Sequence, residues 1–286
     1  MSADVKSIDY LLHLADNALI LGQRNAEWCG HGPILEEDIA MANIGLDHIG
    51  QARLMYQHIA PTLTTLCAAL PLEGANFSRG GPSKNWPQPI TEDTLAYFRN
   101  PEEFRNYVLL ELPHNTALAP SASVERDYSV TIARNFLYSS LMLLVWEGLQ
   151  SSKDYQLAAI AAKSVKEVRY HLRHSTDWML RLGDGTLESH ARMQAAVDHL
   201  MPYTQEFWTS SLMQSEALTA GVSVDMQSLK DRWQTSMNAV LAEATLKPPS
   251  AVGHITRGKD GVHSEHLSYL LAEMQSLARA HPEAVW

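Results

Sequence analysis

Cysteine is nearly absent from this sequence: Cys29 and Cys67 are the only two among 286 residues, with neither metal-ligand spacing nor a third thiol beside them. That excludes a disulfide framework or a thiolate metal cluster as the organising feature, and two idle thiols in a reducing compartment, the cytoplasm, are expected. Basic charge is also scarce. With 22 Lys+Arg against 32 Asp+Glu the formal net charge is -10, which excludes a nucleic-acid partner, because phosphate binding draws on clustered cations. Long apolar runs are missing too. The longest, Phe136 to Trp146, is interrupted by two serines and is too short to span a bilayer. The opening MSADVKSIDY has neither a basic n-region nor an apolar h-region, so no membrane association is expected. No Walker, G-x-S-x-G or G-x-G-x-x-G pattern occurs, no solenoid period is visible, and strand-like alternation is nearly absent.

What is present favours helix: 45% hydrophobic residues, rich in Ala, Leu, Met, Gln and Glu, with Gly and Pro confined to a few segments. At this length one large core can form without metal or disulfide, and a single domain over residues 1–286 is expected. Helical spacing predicts a first helix over about Ser7–Glu27, stopped at Gly30, Gly32 and Pro33. A second is predicted from Glu36 to about Tyr56, carrying Ile39, Ile44, Leu46 and Ile49, with Pro61 ending it. Residues 61–90 collect Pro and Gly without any period and read as a surface excursion. A short helix over Thr91–Leu112 is halted by Pro113, and two long helices follow at about Tyr128–Gln150 and Tyr155–Leu182. Further helices are predicted near Ala191–Ala217, Ser228–Ala244 and Ser264–Ala280. The expected class is all-α, a four-helix bundle with appended C-terminal helices.

Polar residues occupy matching offsets on two of these helices. Ile44, Asp47, His48, Gln51 and Met55 share one helix face, and Glu167, Tyr170, His171, His174 and Trp178 repeat the spacing. In ferritin-like diiron proteins two helices each give a Glu and two each give Glu-x-x-His, aimed at one point between four helices. This sequence echoes that layout and breaks it. The first helix offers only Asp16, the third has no Asp, Glu, His or Cys from Tyr128 to Trp146, and Tyr170 stands where an imidazole is wanted. The literal Glu111-Leu-Pro-His114 carries a proline that spoils the face. Two readings remain open: a degenerate metal site of Asp16, Asp47, Glu167, His171 and His174, or a buried network in which the charges pair with one another. His263-x-x-His266 with Glu265 and Asp260 is a weaker zinc candidate, equally explained as the polar entry to a helix. Trp28, Trp86 and Trp286, in or beside irregular segments, could be core residues or interface anchors.

The stretches QRNAEWCGHGP (23–33), ANIGLDHIGQAR (42–53), KEVRYHLRHS (166–175), RLGDGT (181–186) and GVHSEHLSYLLAEMQ (261–275), with the closing Trp286, resemble the C-type subunits of bacterial phenylacetyl-CoA epoxidases. The resemblance covers almost the whole chain. It implies a ferritin-like structural subunit without a cofactor of its own, paired with a homologous catalytic subunit. That partner would hold the diiron centre and epoxidise the ring of phenylacetyl-CoA with dioxygen, using reductant from a separate reductase; a small accessory subunit is also implied. Catalytic subunits carry Glu-x-x-His on their second helix, and His48 and Gln51 fall at those positions here. Position 48 is usually aliphatic in C-type subunits, and the excursion over 61–90 is longer than usual. The resemblance also places Glu103, Phe104, Arg105 and Asn106, together with Ser215, Glu216 and Ala217, near the coenzyme A moiety; a helix face and a surface loop are the plainer reading. The alternatives to a structural subunit are an active diiron subunit with an unorthodox ligand set and a helical adaptor unrelated to oxygenation.

Overall fold

The computed structural model describes residues 7–69, 86–117, 125–249 and 253–284, and within them the chain is helical almost throughout. The helices are α1 (Ile8–Ala26), α2 (Leu35–Ala69), α3 (Glu92–Tyr97), α4 (Val108–Glu111), α5 (Tyr128–Leu149), α6 (Tyr155–Gly183), α7 (Leu187–Leu200), α8 (Gln205–Trp208), α9 (Leu212–Thr219), α10 (Met226–Glu243) and α11 (Glu265–Ala280), with short 3-10 turns at Pro101–Glu103, Met201–Thr204 and Gly258–Asp260. The one extended pairing among the described residues is an isolated bridge between Arg257 and Val262. No described helix is long and apolar enough to cross a membrane.

Two antiparallel hairpins, α1 on α2 and α5 on α6, form the bundle, and α7 and α10 pack against α5. Helices α1 and α5 are apolar or small on nearly every face, from Leu11 to Leu21 and from Val130 to Trp146, and so are buried all round. Some of their polar groups pair with one another: Asn25 and Asn135 exchange side-chain amide bonds of 2.9 Å, and Trp28 Nε1, just past α1, donates to Thr131 Oγ1 at 2.9 Å. α2 and α6 keep one face to solvent. Asp154 caps α6 by accepting from the backbone N–H of Gln156 and Leu157, and also receives His58 of α2 at 2.7 Å.

Helices α1 and α2 cross at glycine. A Cβ on Gly22 would lie 3.0 Å from Ile49 Cγ1 and 3.2 Å from both the Gly45 carbonyl oxygen and His48 Cβ. Gly22→Val therefore wedges the hairpin apart directly above His48, and a loss of about 1–3 kcal/mol is expected from overpacking. The check is the denaturant midpoint at unchanged slope.

Two expectations are corrected. Pro61 does not end α2, which runs on to Ala69 because Ile59, Ala60, Thr62 and Leu63 are all buried, and that packing offsets the missing N–H and the ring clash, about 3 kcal/mol. The residues from 70 to 85, most of the supposed excursion, lie outside the described part. Thr91–Leu112 is not one helix either. Pro101 opens a 3-10 turn, and Phe104 to Tyr107 are flanked by extended backbone. Buried backbone without a helix must find its hydrogen bonds elsewhere, and α1 supplies them. The Arg105 N–H donates to Asp16 Oδ2 at 2.7 Å, the Tyr107 N–H to Asn17 Oδ1 at 2.8 Å, and His13 Nδ1 lies 2.6 Å from the Arg105 carbonyl. Trp28 and Trp86 are buried, so neither is an exposed anchor; Trp286 lies outside the described residues.

Candidate functional site

The polar faces of α2 and α6 do meet, as their matching offsets imply. The helices run antiparallel, so partners climb on one as they descend on the other: Gln51 Nε2 donates to Glu167 Oε2 at 2.9 Å, and His171 Nε2 lies 2.9 Å from Asp47 Oδ2. Lys163 reaches Glu167 from one turn away at 3.1 Å. Nearer the start of α2, Glu37 accepts from Tyr128 Oη and lies 2.7 Å from His174 Nε2. Burial opposes the Glu37 charge, but the hydrogen bonds from Tyr128 and His174 outweigh it and hold the carboxyl below its usual value. Sequence reading passed over Glu37, although it lies two turns before Ile44 on the same stripe.

Between these pairs sits His48. Its ring is fully buried, 4.8 Å from the His171 ring and 6.0 Å from that of Tyr138, and neither ring nitrogen has a hydrogen-bond partner. Burial, reinforced by His171, pushes its pKa well below the ordinary imidazole value, so it is held neutral. Tyr170 points outward, 43% exposed, with the Arg173 guanidinium over its ring; it is not part of the inner face.

Asp16 belongs to a different network. It is completely buried, and Arg99 forks onto both carboxylate oxygens. Tyr56 Oη donates to Asp16 Oδ1 at 2.6 Å and accepts from Arg99 Nη2 at 2.9 Å. The remaining Arg99 donors go to the Leu95 and Glu103 carbonyls, and its plane covers the Phe104 ring at 4.1 Å. Both oxygens that a metal would need on Asp16 are thus engaged by a cation, a phenol or a backbone N–H.

A diiron centre needs carboxylates from all four bundle helices converging on one volume. Here α5 presents none between Tyr128 and Trp146, Asp16 is locked to Arg99, and Asp47, Glu167 and Glu37 are each held by separate partners. The residues present do not fit such a centre. The two sequence-level His motifs also come apart. Glu111 accepts from the Ser264 N–H and lies 2.8 Å from His263 Nδ1, whereas His114 is bound to the Arg24 carbonyl and Thr131. Asp260 pairs with Arg257 instead of facing His263.

The residues that the resemblance associates with coenzyme A serve several local purposes. Glu103 accepts from the Asn100 N–H at 2.6 Å, Phe104 lies under Arg99, and Asn106 donates to Glu111. Ser215, Glu216 and Ala217 lie on α9 and not on a loop, and Ala217 is buried. Arg105 and Glu216 do come together on one cavity of about 370 Å³, shared with Asp9, Arg257, Lys259 and Asp260. Its three acids balance its three cations.

An all-α bundle of two hairpins, with polar positions on α2 and α6 at diiron-like offsets, defines a ferritin-like chain. The chain belongs to the phenylacetic acid catabolic protein family, whose pattern matches residues 2–286. It is 39% identical over 277 residues, 97% of this chain and 98% of the relative, to the C-type subunit of the 1,2-phenylacetyl-CoA epoxidase of Escherichia coli (strain K12).

Proposed function

We propose that this chain is the structural, non-catalytic subunit of a phenylacetyl-CoA epoxidase, forming one ferritin-like domain that holds no metal and stabilises a homologous diiron catalytic subunit. The observation that carries the reading is the fate of Asp16: the one acid that α1 offers to the bundle is neutralised by a bidentate, fully buried guanidinium. A side chain so engaged cannot coordinate iron without leaving Arg99 as an unpaired buried cation. The likeness to the C-type subunit of the Escherichia coli epoxidase supports the assignment to that complex. In this role the polar pairs between α2 and α6 close the bundle where a cofactor-bearing homologue would be held by its metal.

A partner needs a surface, and α2 has one. Leu35, Ile39 and Leu46 line one outer stripe at helical spacing, with Leu46 68% exposed. Leu46→Arg is expected to weaken assembly with the catalytic subunit by tenfold or more, on the order of 2 kcal/mol for a desolvated anchor, while leaving the melting temperature of the isolated chain unchanged. Size-exclusion chromatography with light scattering reads the first effect and calorimetry the second.

The direct test is metal analysis of the chain expressed alone and with its catalytic partner. Iron confined to a stable hetero-oligomer is the expected result. About two irons per isolated chain, with oxygen-dependent turnover by that chain alone, would overturn the proposal.

A further inference from the structure

Beyond the Glu37–His174 pair, the turn after α1, the start of α5, the end of α6 and the start of α7 border a half-open cavity of about 360 Å³. This is the scale at which small-molecule sites begin. Three of its walls are aromatic: Trp28 and Tyr128 meet edge to face at 5.4 Å, and Tyr128 and Trp178 at 5.5 Å. Ile34 and Leu182 add apolar surface.

The charge on this cavity is not balanced in the way its composition suggests. Arg126, Arg192, Asp127 and Glu188 all line it, but Asp127 and Glu188 are both taken by Arg192, at 3.1 and 3.5 Å. Arg126 is left without an ion pair among the described residues, and its buried Nε has no acceptor. The ground behind it is also positive. Arg134 is fully buried, donates to the Pro113 carbonyl, and leaves Nε and Nη1 unpartnered with no carboxylate bonded to it. The acid whose field reaches it, Glu27, is tied to Arg24 at 2.6 Å. Burial first, and then the fields of Arg134, Arg24 and Arg126, hold His114 neutral. The lining charges sum to zero, but with both acids bonded to Arg192 the donor left open is on Arg126, and beside aromatic walls it suits an anion with a flat apolar body.

The geometry points to a binding site for a small aromatic monocarboxylate, its ring against the wall formed by Trp28, Tyr128 and Trp178 and its carboxylate accepting from Arg126. This site meets the α2–α6 network only where Tyr128 and Trp178 bond Glu37, and it does not depend on the structural role proposed above. An aromatic cage can also hold a cation, but here both lining acids are bonded to Arg192 while Arg126 Nε has no acceptor, so the carboxylate is favoured.

Benzoate is the probe, titrated into the full-length chain by calorimetry and by saturation-transfer NMR, against benzylamine, which has the ring with opposite charge, and acetate, which has the charge without the ring. Saturable one-site binding of benzoate is expected, at least about tenfold tighter than acetate, with no saturable binding of benzylamine. Arg126→Gln removes a side chain that supports no ion pair, so the fold should persist while benzoate affinity drops by about tenfold or more. Leu182→Trp, which fills the cavity from the opposite wall, should abolish binding, with circular dichroism confirming that both variants are folded. Benzylamine binding as tightly as benzoate, no saturation at millimolar benzoate, or benzoate binding untouched by both substitutions would each overturn the proposal.

Discussion

Arg99→Met should destabilise the protein by about 3–5 kcal/mol, the range for removing one partner of a buried ion pair. The size of the effect follows from what Met leaves behind. Asp16 stays completely buried, with Tyr56 and the Arg105 N–H as its only donors, and the Leu95 and Glu103 carbonyls lose a charged donor. Because Asp16 also anchors the extended segment after Phe104, the loss should spread to residues 104–107 and the helices packed on them. Gln275 of α11 donates to the Ala96 and Arg99 carbonyls at 3.1 and 3.0 Å, so that helix loosens too. In a chain of this size the fall in melting temperature should be on the order of 10 °C.

The double variant Arg99→Met, Asp16→Asn removes both charges and should recover a large part of the loss, since the Asn carbonyl oxygen can still accept from the Arg105 N–H while its NH2 donates to Tyr56 Oη. A double-mutant cycle by calorimetry measures the coupling. Strict additivity of the two single losses would show that Asp16 is not held through Arg99, and would remove the main support for a metal-free α1. The same experiment bears on function, because Arg99→Met takes the cation away from Asp16 without providing the other three helices' ligands.

The parts of this fold that could be read in the sequence were those set by local period. α1, α5, α6, α10 and α11 fall within a few residues of their expected bounds, because each carries its own apolar residues at helical spacing. The facing of α2 and α6 was also legible: Asp47 and Gln51 repeat the spacing of His171 and Glu167, and the offsets of two stripes are a local property. What sequence could not reveal was anything fixed by a distant partner. Arg99 joins Asp16 across 83 positions, and Glu37 joins His174 across 137. Nothing near Asp16 distinguishes a ligand from an acid spoken for by arginine. Pro61 misled for a related reason, since a helix breaker is overruled by packing that only the tertiary structure supplies. Pro101 was the missed local signal: it starts a turn inside the segment that periodicity joined into one helix.

The second large effect is on acid stability. His13, His48 and His114 are completely buried, and burial is the first cause that lowers each of them, to about 3 for His13 and well below the ordinary value for the other two. In the unfolded chain all three protonate near the usual imidazole value, about 6.5. Each is depressed in the fold, so its contribution is complete above that value and drains as pH falls from there toward the folded pKa. Over that window the unfolded state holds one more proton per imidazole, and each costs about 1.4 kcal/mol per pH unit. Three together remove about 4 kcal/mol between pH 6 and pH 5, enough to bring a marginally stable chain close to unfolding. His263 acts in the opposite sense. Burial opposes its charge, but Glu111 outweighs this and raises its pKa, so its contribution is full below about 6.5 and is lost as pH rises through the folded value. Its single group softens the alkaline side and does not offset three on the acid side. Among the three, His48 is the informative position, because His13 and His114 have acceptors in the Arg105 and Arg24 carbonyls and His48 has none. Among the described residues the rings beside it are those of His171 and Tyr138, with Asp47 already paired to His171. His48→Leu therefore removes an unsatisfied buried polar group and one acid-sensitive proton together. It should raise stability at pH 7 by about 1–3 kcal/mol and lower the proton uptake on unfolding near pH 5.5 by one. Chemical denaturation across pH 5 to 8 measures both quantities from the same curves, and a pH slope identical to that of the native chain would mean that His48 has a partner that stabilises its charge.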